Sequence, residues 1–175
     1  MPFTSNYANL ILNWAIGLGS ASLSRPSEVY IGLTSNNPEE ASGEIVELSG
    51  GGYSRVLCTK TVTLKSGETL INPNKFRSAS SASDDTNRNV ENEEQINWTK
   101  ATENWERVNG FFLSTSGTVG ETSGIFFYGA LTLDEETKAA GGLLVEAGAV
   151  ALFDPQTFKI EFPAKDVTDE AVTSE

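Results

Sequence analysis

The first apolar pattern in the chain has the spacing of an α-helix. Between residues 6 and 18, apolar side chains recur at about every third or fourth position, which places them on one face of a helix. Thr4 or Ser5 can cap its start, and Gly17 and Gly19 can end it. We predict a helix over residues 6–18 that packs on one face or end of a sheet. Its apolar stripe consists of Tyr7, Leu10, Ile11, Trp14, Ala15 and Leu18.

After Pro26 the apolar positions alternate with polar ones, which is the period of a β-strand. Seven runs are interpreted as strands: 29–33, 53–64, 96–98, 108–113, 125–133, 143–153 and 158–162. The letters DPQT between the last two runs are typical of a tight turn, so we expect those runs to form a hairpin. Short strands after one helix predict a mainly β fold, an antiparallel β-sandwich or a jelly-roll-like barrel.

Residues 65–95 differ from the rest of the chain because they contain few aliphatic side chains. A segment of this composition cannot build a core of its own, and we interpret it as a long polar loop or arm inserted into the domain. Deleting residues 78–92 is therefore expected to change stability little. The domain prediction is a single β-rich domain over residues 1–163, followed by an acidic tail over 164–175.

Charge narrows the choice of partners. The 175 residues include 24 acidic and 12 basic side chains, for a formal net charge of −12. A surface of this sign repels a phosphate backbone, so we expect no nucleic-acid partner. No basic residue precedes Arg25, and the apolar stretch from Leu10 to Leu18 is too short to cross a bilayer. We expect a soluble protein that is made in a cytoplasm and has no membrane partner.

The composition also removes the commonest catalytic relays, because the chain has no histidine. The letters DTNRNVENEE resemble a calcium loop, but Val90 stands where the EF-hand needs glycine and Ile96 where it needs glutamate. Cys58 lies at an alternating position of a strand run, which predicts a buried thiol. No carboxylate pair has the aromatic surroundings of a sugar-cleaving site. We expect no catalytic residue, no cofactor and no bound metal.

Three consecutive glycines, Gly50 to Gly52, raise the question of a phosphate-binding loop. That pattern requires a lysine followed by serine or threonine at the start of a helix. Here the glycines lead into Tyr53, Ser54 and Arg55 at the start of a strand run. We therefore favour a turn or bulge that bends the chain into that strand.

Trp98 and Trp105 flank the letters TKATEN, and Arg107 follows shortly afterwards. Aromatic rings beside a loop can stack on a sugar or anchor a protein interface. Packing in the core is the favoured interpretation for both tryptophans. Trp98, Trp105 and Arg107 remain the candidates for an interface or ligand contact.

Several motifs occur in an order that resembles a known family. The chain contains VYIGLTSNNPEE, SGGGYSRVLC, INWTKATENWERVNGFFL and IFFYGALT in succession. This set is similar to small virion proteins of tailed bacteriophages, described as tail fibre-like, head fibre or capsid decoration proteins. The chain departs from the family at Glu106, where glycine is usual, and in the length of residues 65–95. The matching positions are Tyr30, Gly32, Leu33, Pro38, Gly51, Gly52, Tyr53, Arg55, Val56, Ala101, Thr102, Trp105, Val108, Tyr128, Gly129, Ala130 and Leu131.

The resemblance implies a non-enzymatic structural protein on the surface of the virion. The favoured expectation is a capsid decoration (cement) or head-fibre component, assembled in the cytoplasm of the host bacterium. Its expected partners are other copies of itself, with a trimer favoured, and other virion proteins, with the major capsid protein first. The alternatives are a tail-fibre or receptor-binding module that contacts host carbohydrate, and a glycan-cleaving enzyme. The expected structural motif residues are Gly51, Gly52, Tyr53, Arg55, Tyr128 and Gly129.

Overall fold

The chain folds mainly into antiparallel β-sheets, as the alternating pattern predicts. The computed structural model describes residues 4, 26–64, 66–67, 69–72, 75–78, 88–131 and 142–162. These residues contain ten strands and no helix, while the predicted helix over 6–18 and the acidic tail over 164–175 lie outside them. None of the described segments is a helix long and apolar enough to cross a bilayer. The strands are β1 (Glu28–Thr34), β2 (Val56–Thr63), β3 (Thr69–Asn72), β4 (Phe76–Ser78), β5 (Arg88–Asn92), β6 (Ile96–Asn97), β7 (Gly110–Ser114), β8 (Ile125–Ala130), β9 (Leu152–Phe153) and β10 (Lys159–Phe162).

β1 is the central strand of a five-stranded sheet with the order β3-β2-β1-β7-β8. Every neighbouring pair in this sheet is antiparallel. Because side chains alternate along a strand, Ile31 and Leu33 of β1 point to the same face, and both are buried. At the β8 edge, the backbone N–H of Thr4 donates to the Phe126 carbonyl at 3.2 Å, and its hydroxyl donates to the Ile125 carbonyl at 3.3 Å. Thr4 is thereby attached to β8.

Two glycines of this sheet lie against aromatic rings of the neighbouring strand. Gly32 of β1 is paired with Phe112 of β7, and Gly129 of β8 is paired with Phe111. A Cβ atom on Gly32 would lie 2.1 Å from the Phe112 ring, and one on Gly129 would lie 2.8 Å from the Phe111 ring. A larger residue would have to displace the ring. Close approach therefore explains why both motifs of the resemblance contain glycine.

Phe158 joins the three sheets into one core. Its ring lies 4.7 Å from that of Phe111 in the five-stranded sheet and 6.0 Å from that of Phe76 in β4. It also lies 5.2 Å from the ring of Phe153 in β9. β4 belongs to a three-stranded sheet of order β10-β5-β4, and β9 pairs only with β6 in the described part of the chain. The hydrophobic core is thus shared by strands from all three sheets.

The prediction that residues 65–95 form a loop or arm is wrong, because β3, β4 and β5 all form within this range. β3 pairs with β2, and β5 pairs with both β4 and β10. The segment needs no core of its own, since β2 and β10, which lie outside it, supply part of its hydrogen bonds. The deletion of residues 78–92 would remove the central strand of the three-stranded sheet, so the expectation of little effect no longer stands.

The predicted hairpin between the last two runs is also wrong. β9 pairs with β6, whereas β10 pairs with β5 in a different sheet. The tight turn itself is present, because the N–H of Thr157 donates to the Asp154 carbonyl at 3.1 Å and Gln156 has a φ of 66°. The turn sends the chain from one sheet to another instead of folding it back on β9. Most of the run 143–153 is not regular strand, apart from β9 and one bridge between Leu143 and Val108.

Asn92, at the end of β5, holds this turn. Its side chain is fully buried. The amide nitrogen donates to the carbonyls of Glu94 at 2.9 Å and Asp154 at 2.7 Å, and the amide oxygen accepts from the N–H of Phe158 at 2.9 Å. One polar side chain therefore fixes where the turn starts and where Phe158 enters the core.

Asn92→Ala is expected to lower the free energy of unfolding by about 1–3 kcal/mol, because the buried N–H of Phe158 loses its side-chain acceptor. Urea unfolding monitored by tryptophan fluorescence measures the change. Asn97→Ala, at an exposed position of β6, is the matched control and should change stability by less than about 0.5 kcal/mol. Equal losses in the two variants would contradict the role given to Asn92.

Candidate functional site

The side chain of Arg55 is completely buried and uses all five of its N–H donors. Nε and Nη2 donate to the two carboxylate oxygens of Glu47, at 2.8 and 2.7 Å. Nη2 also donates to the Glu121 carbonyl at 2.7 Å. Nη1 donates to the Ser114 hydroxyl at 3.1 Å and to the Ser116 carbonyl at 2.8 Å. We call this set, with Tyr53 and Gly120 described next, the Arg55 network.

Glu47 is saturated by the same network. Besides the two bonds from Arg55, it accepts from the hydroxyl of Tyr53 at 3.1 Å and from the N–H of Gly120 at 2.7 Å. Burial raises the pKa of the Tyr53 phenol far above its ordinary value, so this hydroxyl keeps its proton and remains a donor. It also accepts from the N–H of Leu33 in β1 at 2.8 Å. No oxygen of Glu47 is left free to act as a base.

The network is fixed to the sheet through Phe112 and the loop after β7. The guanidinium carbon of Arg55 lies 4.8 Å from the centre of the Phe112 ring, a distance at which a cation is attracted to an aromatic ring. In the loop, the carboxylate of Glu121 accepts from the hydroxyls of Ser116 at 2.6 Å and Ser123 at 2.7 Å. Those bonds, with the one from Ser116 the larger cause, lower the pKa of Glu121. The loop is thus shaped to bring its carbonyls to Arg55.

The glycine triplet, Gly50 to Gly52, packs against another segment of the same chain. Gly50, Gly51 and Gly52 have φ values of +98°, +31° and +83°, which L side chains rarely adopt. The Gly51 carbonyl accepts from the N–H of Thr102 at 2.7 Å and from the indole N–H of Trp105 at 3.1 Å. A Cβ atom on Gly51 would lie 2.8 Å from the backbone nitrogen of Glu103. The triplet is a turn that packs against residues 102–105.

Trp98 and Trp105 both lie in the core, the placement that the sequence favours. Trp98 is 2% exposed and meets the Phe153 ring edge-on at 5.7 Å. Trp105 is 5% exposed and meets the Tyr53 ring edge-on at 5.5 Å. A ligand contact through either ring would require the surrounding chain to move.

Arg107 and Tyr128 differ from the tryptophans in exposure. Arg107 is exposed and donates through Nη1 to the Gly142 carbonyl at 3.0 Å. Tyr128 is half-buried in β8. A Cβ atom added to Gly43 would lie 2.9 Å from the Tyr128 hydroxyl oxygen. Of the three candidates for an interface or ligand contact, Arg107 is the one at the surface, and its contact with a ligand or partner stays a prediction.

Cys58 is a free, buried cysteine, as predicted from the alternation. Burial raises the pKa of its thiol to about 12, so the thiol stays protonated near neutral pH, and the thiolate is the reactive form. Among the described residues, no group of three or more acidic or cysteine side chains could hold a metal ion.

Sequence reasoning missed several residues on which the Arg55 network depends. It named Arg55 and Tyr53 as structural motif residues, but it did not identify Glu47, Ser114, Ser116 or Glu121 as partners of Arg55. These partners lie up to 66 positions away from Arg55 in the chain. The serine- and glycine-rich letters STSGTVGETSG were the available sign of a loop with many hydrogen bonds, but they do not say what the loop binds.

A comparison with known protein families then identifies the chain. The family model described as Podophage GP4 fiber I protein gp80 matches residues 2–153. The chain belongs to this family of podophage fibre proteins. The match confirms the resemblance to virion proteins of tailed phages and indicates a virion protein. It includes every residue of the Arg55 network and strands β1 to β9, and it ends before β10. No curated protein matches the chain.

Replacing Arg55 in this fibre-family protein is expected to destabilise it strongly. Arg55→Ala leaves Glu47 buried without its cation and should cost about 3–5 kcal/mol. Arg55→Lys keeps the charge but loses the planar fork and two donors, so an intermediate loss is expected. Thermal and urea unfolding measure both variants.

Arg107→Lys is the matched control for the lysine variant, because Arg107 is exposed with one hydrogen bond to a carbonyl. It should change the free energy of unfolding by less than about 0.5 kcal/mol. If Arg55→Lys were as stable as Arg107→Lys, the five-donor geometry would not matter, and the importance given to the Arg55 network would be wrong.

Proposed function

We propose that the protein is a non-enzymatic structural subunit of a virion fibre on the particle surface. The observation that carries the proposal is the family match over residues 2–153, which contain the whole Arg55 network. A fibre subunit must keep its shape without a bound substrate, and its polar groups are then expected to serve the fold.

The use of polar side chains in the described residues supports a structural role. Arg55 and Glu47 form a buried ion pair. All of their side-chain donors and acceptors are hydrogen-bonded to each other or to nearby backbone and hydroxyl groups. Catalytic sites instead keep a base or nucleophile accessible to the substrate. Cys58 is buried and protonated. These features favour a structural role over the glycan-cleaving alternative.

The proposal includes a two-layer sandwich as the finer architecture. The contact of Phe111 with Phe158, and of Phe158 with Phe76, joins the five-stranded sheet to the region of the three-stranded sheet. Sheets that meet through their apolar faces in this way form sandwiches. In the described residues β3 and β8 are opposite ends of the five-stranded sheet, which favours an open sandwich over a jelly-roll-like closed barrel.

We further propose that the subunit forms a homo-oligomer, with a trimer favoured, and binds the major capsid protein as a head-fibre or decoration component. Attachment to a repeating lattice multiplies weak contacts, which suits a small acidic domain. The family match supports a fibre and is neutral between head and tail. Receptor binding through Trp98 or Trp105 is less favoured because both rings are buried.

The location is tested by incubating purified protein with capsids and, separately, with tails that lack it, followed by pelleting. Saturable binding to capsids is expected. A variant ending at residue 163 should bind less, because the acidic tail is expected to order against a neighbouring subunit. Binding only to tails, or to host cell envelopes, would contradict the capsid location and favour the tail-fibre alternative.

The non-enzymatic role is tested by incubating the protein with bacterial polysaccharides and measuring reducing ends. No release above a heat-denatured sample is expected. Release of sugar that is lost in an acid-to-amide variant of an exposed carboxylate would show glycan cleavage and overturn the proposal.

A further inference from the structure

The peptide bond between Asp154 and Pro155 lies in the turn that leads into β10. Residues 154–157 are all exposed, so the bond is accessible to water. The side-chain carboxylate of Asp154 is on the same residue as the carbonyl of this bond. Attack on that carbonyl closes a five-membered ring, and such intramolecular reactions gain from proximity. The leaving group would be the nitrogen of Pro155, which forms a tertiary amide in the intact bond.

The carbonyl oxygen of Asp154 accepts three hydrogen bonds. Nδ2 of Asn92 donates at 2.7 Å, the hydroxyl of Thr157 at 2.8 Å and the N–H of Thr157 at 3.1 Å. The N–H of Thr157 alone is enough to close a turn of this kind. Two additional donors on the same oxygen resemble an oxyanion hole, because they stabilise the negative charge that forms on a carbonyl oxygen when its carbon is attacked.

The groups around the bond are held in place. Asn92 is fully buried and its amide oxygen accepts from the N–H of Phe158 at 2.9 Å, which fixes the direction of its Nδ2. Oδ1 of Asp154 accepts from Nε2 of Gln95 at 3.0 Å. Gln156 has a φ of 66°, a strained conformation of the kind that clusters at functional sites. A carboxylate, three donors and a strained turn therefore meet at one peptide bond.

We propose that the protein cleaves its own Asp154–Pro155 bond. A carboxylate oxygen of Asp154 attacks the carbonyl carbon of the same residue, while Asn92 and Thr157 stabilise the charge on the carbonyl oxygen. The C–N bond then breaks, and the nitrogen of Pro155 leaves with the electron pair and takes a proton from the solvent. The product is a cyclic anhydride at Asp154. One water molecule opens the anhydride and returns a proton to the solvent, which leaves a carboxyl terminus at Asp154 and an amino terminus at Pro155.

The cut divides the chain without removing a strand from its sheet. β10 stays paired with β5, and Phe158 stays in the core against the ring of Phe111. The family match ends at residue 153, so the detached segment, 155–175, begins just after the part that the family model matches. β10 and the acidic tail become a separate peptide that hydrogen bonds and packing hold to the protein.

This inference goes beyond the proposed function and does not depend on it. The reaction happens once in each chain and uses no external substrate, so it is compatible with a structural subunit. It is tested on the pure protein, and a failure here leaves the capsid-binding and polysaccharide experiments unaffected.

The first test follows the wild-type protein by intact mass spectrometry, folded and in guanidinium chloride, in the same mildly acidic buffer. Tryptophan fluorescence confirms that the first sample stays folded. If the three donors only hold the turn, the fold restrains the bond and slows cleavage. We expect instead that the folded sample yields fragments 1–154 and 155–175 at least tenfold faster than the denatured one. No cleavage, or cleavage no faster than in the denatured sample, would overturn the proposal.

The second test separates the carboxylate from the donors. Asp154→Asn keeps the size of the side chain but removes the carboxylate, so cleavage should be lost. Thr157→Val removes one donor to the carbonyl and should slow cleavage at least tenfold. Thr118→Val is the matched control, because Thr118 is exposed in another loop, and it should cleave like the wild type. Cleavage of Asp154→Asn at the wild-type rate, or equal rates for the two valine variants, would contradict the mechanism.

A third measurement detects the anhydride in the wild-type protein. Hydroxylamine opens an anhydride to a hydroxamate, so part of the 1–154 fragment formed in its presence should carry a hydroxamate at residue 154. A fragment that carries only carboxylates would indicate direct hydrolysis by water and would rule out attack by Asp154.

Discussion

The buried ion pair between Arg55 and Glu47 is the interaction on which the other features of the structure depend. A guanidinium without exposure to water must have every donor satisfied, and here the acceptors come from two separate stretches of chain, Glu47 and the loop over residues 114–121. The ring of Phe112 lies beneath the guanidinium, and Gly32 lies against that ring. Through these contacts the Arg55 network helps to set the distance between β1, which contains Gly32, and β7, which contains Phe112. An apolar core tolerates small shifts in packing. The five hydrogen bonds of Arg55 tolerate smaller shifts, because each donor must keep its acceptor in reach.

Polar and apolar groups hold different parts of the fold together. The Arg55 network lies next to β1, β2 and β7, while the Phe158 cluster joins the three sheets. Asn92 links the two kinds of contact, because its amide fixes the turn that delivers Phe158 to the core. Such rigidity suits the structural role that we propose for the protein.

The parts of the fold that could be predicted are those in which local alternation agrees with burial. β2, β8 and β10 fall within runs predicted from apolar period, β1 extends beyond its run by a single residue at each end, and β7 extends beyond its run by a single residue at one end. β3, β4 and β5 were missed because polar strands can be stabilised by backbone pairing with partners that the composition of the segment does not reveal. The hairpin was mispredicted because the letters DPQT encode a turn, but not which strand the following residues will pair with. At the site, the turn at Gly50 to Gly52 could be predicted from the glycines themselves. The partners of Arg55 could not be predicted from neighbouring residues, because they lie far from it in the sequence.

The order of strands in the five-stranded sheet has a consequence for synthesis. β1 and β2 are made early and can pair as soon as residue 63 has left the ribosome, but β1 is the central strand and gains its second neighbour only when β7 emerges. During that interval Ile31 and Leu33 sit on a half-built sheet with one open edge, and Arg55 has none of its acceptors from residues 114–121. Long-range pairing of this kind is slow, and open edges in partly made sheets associate readily. The nascent chain is therefore most vulnerable to aggregation between the completion of β2 and the arrival of β7, when chaperone binding would matter most.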